Sequence, residues 1–167
     1  MTRIRKVGLI VDDLVSTKQL HDLIVLSQSS CCYEISHLIV QKNIRYRGNI
    51  ISRNFQRITQ FGLMVFLREF FFKMLCKLES LAVTGTREFD ALFGSYDLSQ
   101  FGLDIVYVEP KISSNGLVCR YSQSDLDRLG LLNLSLLIRG GENILRGEIL
   151  ELCEYGVISF HHADNDL

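Results

Sequence analysis

The sequence predicts an α/β protein with a Rossmann-like, doubly wound, mainly parallel sheet and helices on both faces. Short apolar runs alternate with longer stretches of helical periodicity, a pattern typical of βαβ units. The first apolar run, Lys6 to Val11, is short and nearly uniform, as expected of a central strand buried on both faces. A single proline, Pro110, in 167 residues favours long regular elements over a loop-rich scaffold.

The first half of the chain supplies two strands and two helices. After the strand at Lys6 to Val11, the stretch from Leu14 to Gln28 has Leu20, Leu23 and Ile24 on one helical face. Glu34 to Gln41 (E-I-S-H-L-I-V-Q) reads as the second strand. A long helix is then predicted from Ser52 to Leu81, with a bend near Gly62.

The second half continues the alternation. Asp104 to Val108 is predicted as a strand, and Ser122 to Leu129 as a helix that begins with a serine followed by acidic residues, a capping pattern. The remaining predictions are an irregular stretch from Thr84 to Gly102, a short strand or hairpin arm at Gly116 to Tyr121, strands at Asn133 to Ile138 and Gly156 to Phe160, and a helix at Arg146 to Cys153.

Size and composition limit the class of protein. With 167 residues, 47% of them hydrophobic, the chain is long enough to bury a substantial core, and we expect a single domain over 1–167. The apolar share excludes a disordered chain. A formal net charge of −1 argues against a dedicated nucleic-acid binder.

The most apolar stretch, Phe61 to Val83, raises the question of a membrane span. Charged residues interrupt it, whereas a spanning helix needs roughly 20 mostly uncharged residues. Leu67, Phe70 and Leu78 share one broad arc of a helical wheel, so we predict an amphipathic core helix and no membrane anchor. No secretory signal precedes it, and we therefore expect a cytoplasmic protein.

The cysteines fit this location. There are five, an odd number, and no C-x-x-C motif occurs. The adjacent Cys31 and Cys32 have neither zinc-knuckle spacing nor easy disulfide geometry. We expect buried or half-buried free thiols and no metal.

Basic residues are concentrated between Ile35 and Arg68, where no acidic residue occurs. They are Lys42, Arg45, Arg47, Arg53, Arg57 and Arg68. Two interpretations stay open: a solvated loop and helix face, or a rim that attracts a phosphate-bearing substrate. The position after the second strand, at the carboxyl edge of the predicted sheet, is compatible with the second interpretation.

Candidate chemistry follows the carboxyl ends of two strands. The sequence has no Gly-rich nucleotide-binding loop after the first strand and no G-x-S-x-G. Gly140 and Gly141 allow the backbone to approach a ligand, although a plain turn explains them equally well. Residues 159–166, S-F-H-H-A-D-N-D, combine histidines, carboxylates and an amide at the end of the last strand. A metal site remains an alternative for four of them, His161, His162, Asp164 and Asp166.

These two segments resemble a known family. The patterns N-L-S-L-L-I-R-G-G-E-N-I-L-R-G-E-I-L and G-V-I-S-F-H-H-A-D-N-D are similar to the amino-terminal catalytic domain of folate-dependent formyltransferases. That family includes methionyl-tRNA formyltransferase, glycinamide ribonucleotide formyltransferase and sugar N-formyltransferases. The similarity is strong over Leu132 to Asp166, weak before it, and implies a Rossmann-like fold.

The resemblance implies an enzyme of one-carbon metabolism that transfers a formyl group from formyl-tetrahydrofolate, its co-substrate, to an amine. By position, His161 matches the catalytic histidine, and Ser159 stands where the family usually has asparagine. Both types of side chain can donate a hydrogen bond to the oxyanion of the tetrahedral intermediate. The resemblance also implies a stretch of backbone that binds formyl-tetrahydrofolate. Its residues are Gly140, Gly141, Glu142, Asn143, Ile144 and Leu145.

The acceptor implied is a small-molecule amine. Phosphorylated, sugar and aminoacyl acceptors stay open, with tRNA as the one nucleic acid among them. The family has an R-G-x-x-P loop and an aspartate beyond the histidine, so we expect here a formyltransferase-like domain without its carboxyl-terminal part. The alternative is a catalytically incomplete remnant that serves as a binding or interaction module and pairs through Phe66 or Phe72. The oligomeric state is not predicted.

Overall fold

The computed structural model of the protein describes residues 4–42, 63–87, 89, 94–113, 118–141 and 143–159. The chain divides into two compact units. Met1–Arg45 and Ser95–Leu167 form the first, and Tyr46–Gly94 forms the second. A single domain over the whole chain stays a prediction.

The elements of the described residues are as follows. The strands are β1 (Arg5–Val11), β2 (Val15–Thr17), β3 (Tyr33–Gln41), β4 (Ser95–Asp97), β5 (Asp104–Val108), β6 (Lys111–Ile112), β7 (Val118–Arg120), β8 (Leu136–Arg139), β9 (Ile144–Leu145) and β10 (Val157–Ser159). The α-helices are α1 (Lys18–Gln28), α2 (Leu63–Val83) and α3 (Gln123–Gly130), and two 3-10 helices span Leu98–Phe101 and Glu148–Glu151.

Five of these described strands form one parallel sheet in the first unit. Their order across the sheet is β10-β8-β1-β3-β5. Counted along the chain, this is the order 3-2-1-4-5 of the Rossmann sheet, seen from the opposite edge. The predicted α/β fold with a mainly parallel, Rossmann-like sheet is therefore confirmed.

The central strand, β1, has neighbours on both edges and cover on both faces. It pairs in parallel with β3 on one side and with β8 on the other. Its residues from Val7 to Val11 are all buried. Such a strand has no solvent-facing side, which explains why its sequence is apolar rather than alternating.

Apolar clusters cover the two faces of the sheet. On one face, Leu20 and Ile24 of α1 pack with Leu9 of β1. On the other face, Leu126 and Leu129 of α3 belong to the cluster that contains Ile10. Because neighbouring residues of a strand point to opposite faces, α1 and α3 lie on opposite sides of the sheet.

Some elements predicted from local sequence patterns differ from those in the structure, above all where distant residues pair. The predicted helix from Leu14 begins as β2, which pairs antiparallel with β4 inside the stretch 84–102 that was predicted as irregular. The predicted helix from Arg146 to Cys153 is only the 3-10 helix Glu148–Glu151. The capping prediction at Ser122 is confirmed, because its side chain accepts a hydrogen bond from the backbone N–H of Asp125.

Helix α2, in the second unit, is not the core helix that the periodicity predicts. Leu67, Phe70 and Leu78, on its apolar arc, are all exposed, and Phe72 is 66% exposed. The periodicity identifies the residues that share a stripe, but burial requires another apolar surface against that stripe. The predicted part 52–62 lies outside the described residues. No helix of the described residues is long and apolar enough to cross a membrane.

The cysteine prediction is confirmed in part. All five cysteines are free, and Cys119 and Cys153 are buried as expected. Cys31, Cys32 and Cys76 are exposed, contrary to the prediction. Cys31 and Cys32 lie in the turn between α1 and β3, and Cys76 lies on the exposed helix α2.

We expect Gly8→Ala to lower the free energy of unfolding by roughly 1–3 kcal/mol through overpacking. A Cβ atom at this position in β1 would lie 2.7 Å from Leu134 Cδ1 and 2.9 Å from Leu137 Cδ2. Gly130→Ala is the matched control, because its Cβ would meet Leu152 Cδ1 at an ordinary 3.8 Å. Urea denaturation of both variants measures the difference, and equal losses of stability would contradict the packing described for β1.

Candidate functional site

The strand order reverses at the carboxyl ends of β1 and β8, which is where an open α/β sheet has its crevice. From β1 the chain builds the sheet outward through β3 and β5, and it then returns to β8 on the other side of β1. Open α/β sheets bind their ligands at such a reversal, outside the carboxyl ends of the strands. Asp12 directly follows β1, and Gly140 and Gly141 directly follow β8.

A group of polar side chains lies at this edge, on the face of the sheet that α3 covers. We define the edge cluster as Asp12, Gln41, Cys119, Tyr121 and Arg139. Gln41 and Arg139 are the last residues of β3 and β8 and are only 2% and 3% exposed. Each lies two residues beyond an apolar residue of the α3-side core, so the strand alternation turns its side chain to that same face.

Hydrogen bonds connect three members of the edge cluster. The side-chain amide of Gln41 donates to the hydroxyl of Tyr121. The thiol of Cys119 donates to the other end of the same amide, with a distance of 4.0 Å from Sγ to Oε1. Gln41 thus has both ends of its amide paired, as a buried amide requires.

Two buried nitrogen atoms of Arg139, unlike the amide of Gln41, have no hydrogen-bond partner among the described residues. They are Nε and Nη2, which are inaccessible to solvent. The electrostatic partners of the guanidinium are Asp12, Cys119 and Tyr121, and burial lowers its pKa. An arginine nevertheless remains protonated in proteins, so a positive charge with two unused donors lies beneath the crevice.

The neighbours of Arg139 on this face are uncharged at neutral pH. Burial raises the pKa of Cys119 to about 11 and raises the pKa of Tyr121 well above its ordinary value. The remaining member, Asp12, is exposed. Of the three groups that interact electrostatically with Arg139, the carboxylate of Asp12 is therefore exposed to screening by water, whereas Cys119 and Tyr121 are neutral.

Gly140 and Gly141 are placed where the chain passes closely over its neighbours. Gly140 donates its backbone N–H to the carbonyl of Ile10, at 2.9 Å, and so continues the pairing of β8 with β1. A Cβ atom on Gly140 would collide with Leu20, and one on Gly141 would collide with the carboxylate of Asp12. At both positions the absence of a Cβ atom lets a neighbouring side chain approach the backbone closely.

The other residues of the stretch predicted to bind formyl-tetrahydrofolate follow this turn. Ile144 and Leu145 form β9, which pairs in parallel with β7. Asn143 and Leu145 are buried, and Ile144 is exposed. Glu142 lies outside the described residues.

Ser159 is the last residue of β10 and is exposed. It is the register partner of Arg139 in β8, so the two residues lie side by side on adjacent strands. In-register partners of a parallel pair project to the same face of the sheet. The other predicted catalytic residue, His161, lies outside the described residues, as do three further residues of the alternative metal site, His162, Asp164 and Asp166.

The described residues contain no candidate metal site, and they include only two of the six basic residues of the predicted rim. Among the residues with described structure, no group of three or more His, Cys, Asp or Glu could hold a metal ion. Of the basic residues, Lys42 follows β3 with its Nζ 4.5 Å from the ring centroid of Tyr107, and Arg68 is exposed on α2. Arg45, Arg47, Arg53 and Arg57 lie outside the described residues.

Sequence reasoning missed the edge cluster. A signal was present, because the apolar run N-L-S-L-L-I ends in Arg139 and the run L-I-V ends in Gln41. A polar residue at the last inward position of a buried strand indicates an edge where polar groups are collected. The two residues become a pair only when the strand order is known.

Fold and site together define a class. A Rossmann-like sheet alone does not determine a function, because unrelated functions share it. Comparison of the chain with protein-family models, with curated proteins and with solved structures finds no match. The described residues define an α/β protein whose carboxyl-edge crevice has a close glycine turn, a buried guanidinium and a serine on the adjacent strand.

Cys119 should make the stability of the protein depend on pH in alkaline solution. Its pKa is 9.0 as a model thiol and about 11 in the fold, so between these values only the unfolded chain loses the proton. Stability is thus full below pH 9 and falls as the pH rises towards 11, by up to about 3 kcal/mol.

The measurement is urea denaturation at several pH values between about 8 and 11. Cys119→Ala should remove this part of the pH dependence, whereas Cys76→Ala, which changes an exposed thiol, should retain it. The same decline in wild type and Cys119→Ala would show that the thiol is not protected by burial.

Proposed function

We propose that the chain is a formyltransferase-type protein that binds formyl-tetrahydrofolate at the carboxyl edge of its sheet and transfers the formyl group to an amine. The observation that carries the proposal is the position of the two segments that resemble the formyltransferases. The glycine turn at Gly140 and Gly141 follows β8 directly, and Ser159 ends the adjacent strand β10. The two segments, which follow one another closely in the sequence, therefore end on neighbouring strands.

The glycine turn leaves backbone groups of the stretch predicted to bind formyl-tetrahydrofolate without side chains of their own over them. The positions of the missing Cβ atoms are filled by Leu20 at Gly140 and by Asp12 at Gly141, so a planar ring can approach only from another side of this backbone. Asn143, buried three residues after Gly140, adds a side chain with both donor and acceptor groups.

The reaction requires hydrogen-bond donors at one oxygen atom. The acceptor amine attacks the formyl carbon, a C–N bond forms, and the carbonyl electron pair moves to the oxygen. The intermediate then collapses, the bond from carbon to the donor nitrogen breaks, and that nitrogen receives the proton that the amine loses. In this proposal Ser159 and His161 donate to the oxyanion, and loss of one such donor typically costs roughly 3 kcal/mol in the barrier.

Binding of 5-formyl-tetrahydrofolate, a stable isomer of the donor, tests the first half of the proposal. Isothermal titration calorimetry with the full chain should give saturable binding. Gly141→Val should weaken it at least about tenfold, because the new side chain occupies the space beside Asp12. Gly130→Ala, at the end of α3, is the folded control that should bind like wild type.

Transfer itself is tested at Ser159 in the same experiment series. Ser159→Ala should keep donor binding and lower transfer to a primary amine, whereas Ser159→Asn, the family residue, should restore or raise it. The release of tetrahydrofolate, followed by absorbance, measures the rate. Absence of binding at millimolar ligand, or unchanged binding by a folded Gly141→Val, would contradict the proposal.

A second candidate function is the interaction module. The observation in its favour is the run of exposed apolar residues on α2, such as Phe70, Phe71 and Phe72. Exposed apolar patches of this kind mark interaction surfaces in soluble proteins. It becomes the better account if the chain folds, binds no folate and associates through α2.

A further inference from the structure

The two unpartnered nitrogen atoms of Arg139 belong to one edge of its guanidinium. The N–H bonds of Nε and Nη2 are parallel and form the fork that arginine uses for bidentate hydrogen bonds. Both are buried without a partner in the described part of the chain. A whole recognition edge is therefore unused, rather than one stray donor.

Such an arrangement is costly unless something completes it. A buried donor without a partner destabilises a fold, and it does so more strongly when it is charged. The neighbouring groups on this face give no relief, because Gln41 is already paired with Tyr121 and Cys119. The missing partner should be an acceptor with two oxygen atoms in one plane.

The position of the fork points to a ligand rather than to a structural partner. Arg139 is the last residue of β8, at the reversal of the strand order where open α/β sheets bind ligands. Gly140 and Gly141 follow it immediately and place no side chain of their own over this edge. Its register partner on the adjacent strand is Ser159.

The charges of Arg139 and Asp12 favour a carboxylate over a phosphate as the bound anion. Arg139 contributes one positive charge, and Asp12 lies close enough to interact with it and to collide with any Cβ on Gly141. A singly charged carboxylate completes the pair with less repulsion from Asp12 than a doubly charged phosphate does. The planar carboxylate also matches the spacing of the two N–H groups.

We propose that Arg139 binds the carboxylate of a small ligand through Nε and Nη2, outside the carboxyl ends of β1 and β8. The inference concerns binding alone and holds whether or not the chain transfers formyl groups. Acetate is the simplest probe of it, and it has none of the other features of a folate. A failure of folate binding and a failure of carboxylate binding are thus separate results.

The test follows the side-chain Nε–H signal of Arg139 by NMR in the ¹⁵N-labelled full chain at neutral pH. Sodium acetate should shift this signal saturably, whereas sodium chloride at the same ionic strength should not. Inorganic phosphate should bind more weakly than acetate. Because the signal reports on wild-type protein, the result does not depend on the folding of any variant.

Two variants and one control sharpen the test. Arg139→Lys keeps the charge but cannot form two parallel hydrogen bonds, so acetate affinity should fall at least about tenfold. Asp12→Asn should raise the affinity for both anions, and more so for phosphate. Arg120→Lys, at an exposed arginine of β7, should bind acetate like wild type.

Three results would overturn the proposal. One is the absence of a saturable shift of the Arg139 signal with acetate. Another is tighter binding of phosphate than of acetate by wild type, which would contradict the charge argument. The third is wild-type acetate affinity in a folded Arg139→Lys, which would show that the fork is not the binding group.

Discussion

The architecture depends on the burial of β1 on both faces of the sheet. Its residues from Val7 to Val11 have no access to solvent, and β3 and β8 occupy its two edges. A strand in this position tolerates polar side chains only where it ends. The central strands accordingly meet polar residues at their carboxyl ends, where β1 leads into Asp12, β3 ends in Gln41 and β8 ends in Arg139.

This edge consists of a group of hydrogen-bonded side chains and a turn without side chains. Gln41, Cys119 and Tyr121 satisfy one another by hydrogen bonds and keep their neutral forms, so they provide a fixed polar wall. The glycine turn after β8 has no side chains and lies tightly against Asp12. The guanidinium of Arg139 is buried at this edge and has an unused pair of donors, which suits the recognition of a planar anion.

The sequence was informative where a pattern reflects local physics. The strand Asp104–Val108 was predicted with its observed bounds, and the cap of α3 follows from the side chain of Ser122. The pairing of β2 with β4 could not be predicted, because its three-residue strands carry no periodicity and form only through each other. At the candidate site, the paired glycines were predicted from their position after a strand and Ser159 from the resemblance, whereas the pairing of Arg139 with this edge depends on the strand order.

An experimental structure of the chain crystallised with acetate would test the central claim most directly. The account predicts one carboxylate with its two oxygen atoms within about 3.2 Å of Nε and Nη2 of Arg139, above the glycine turn. A structure in which groups of the protein hold both nitrogen atoms, or in which the guanidinium points into solvent, would contradict it.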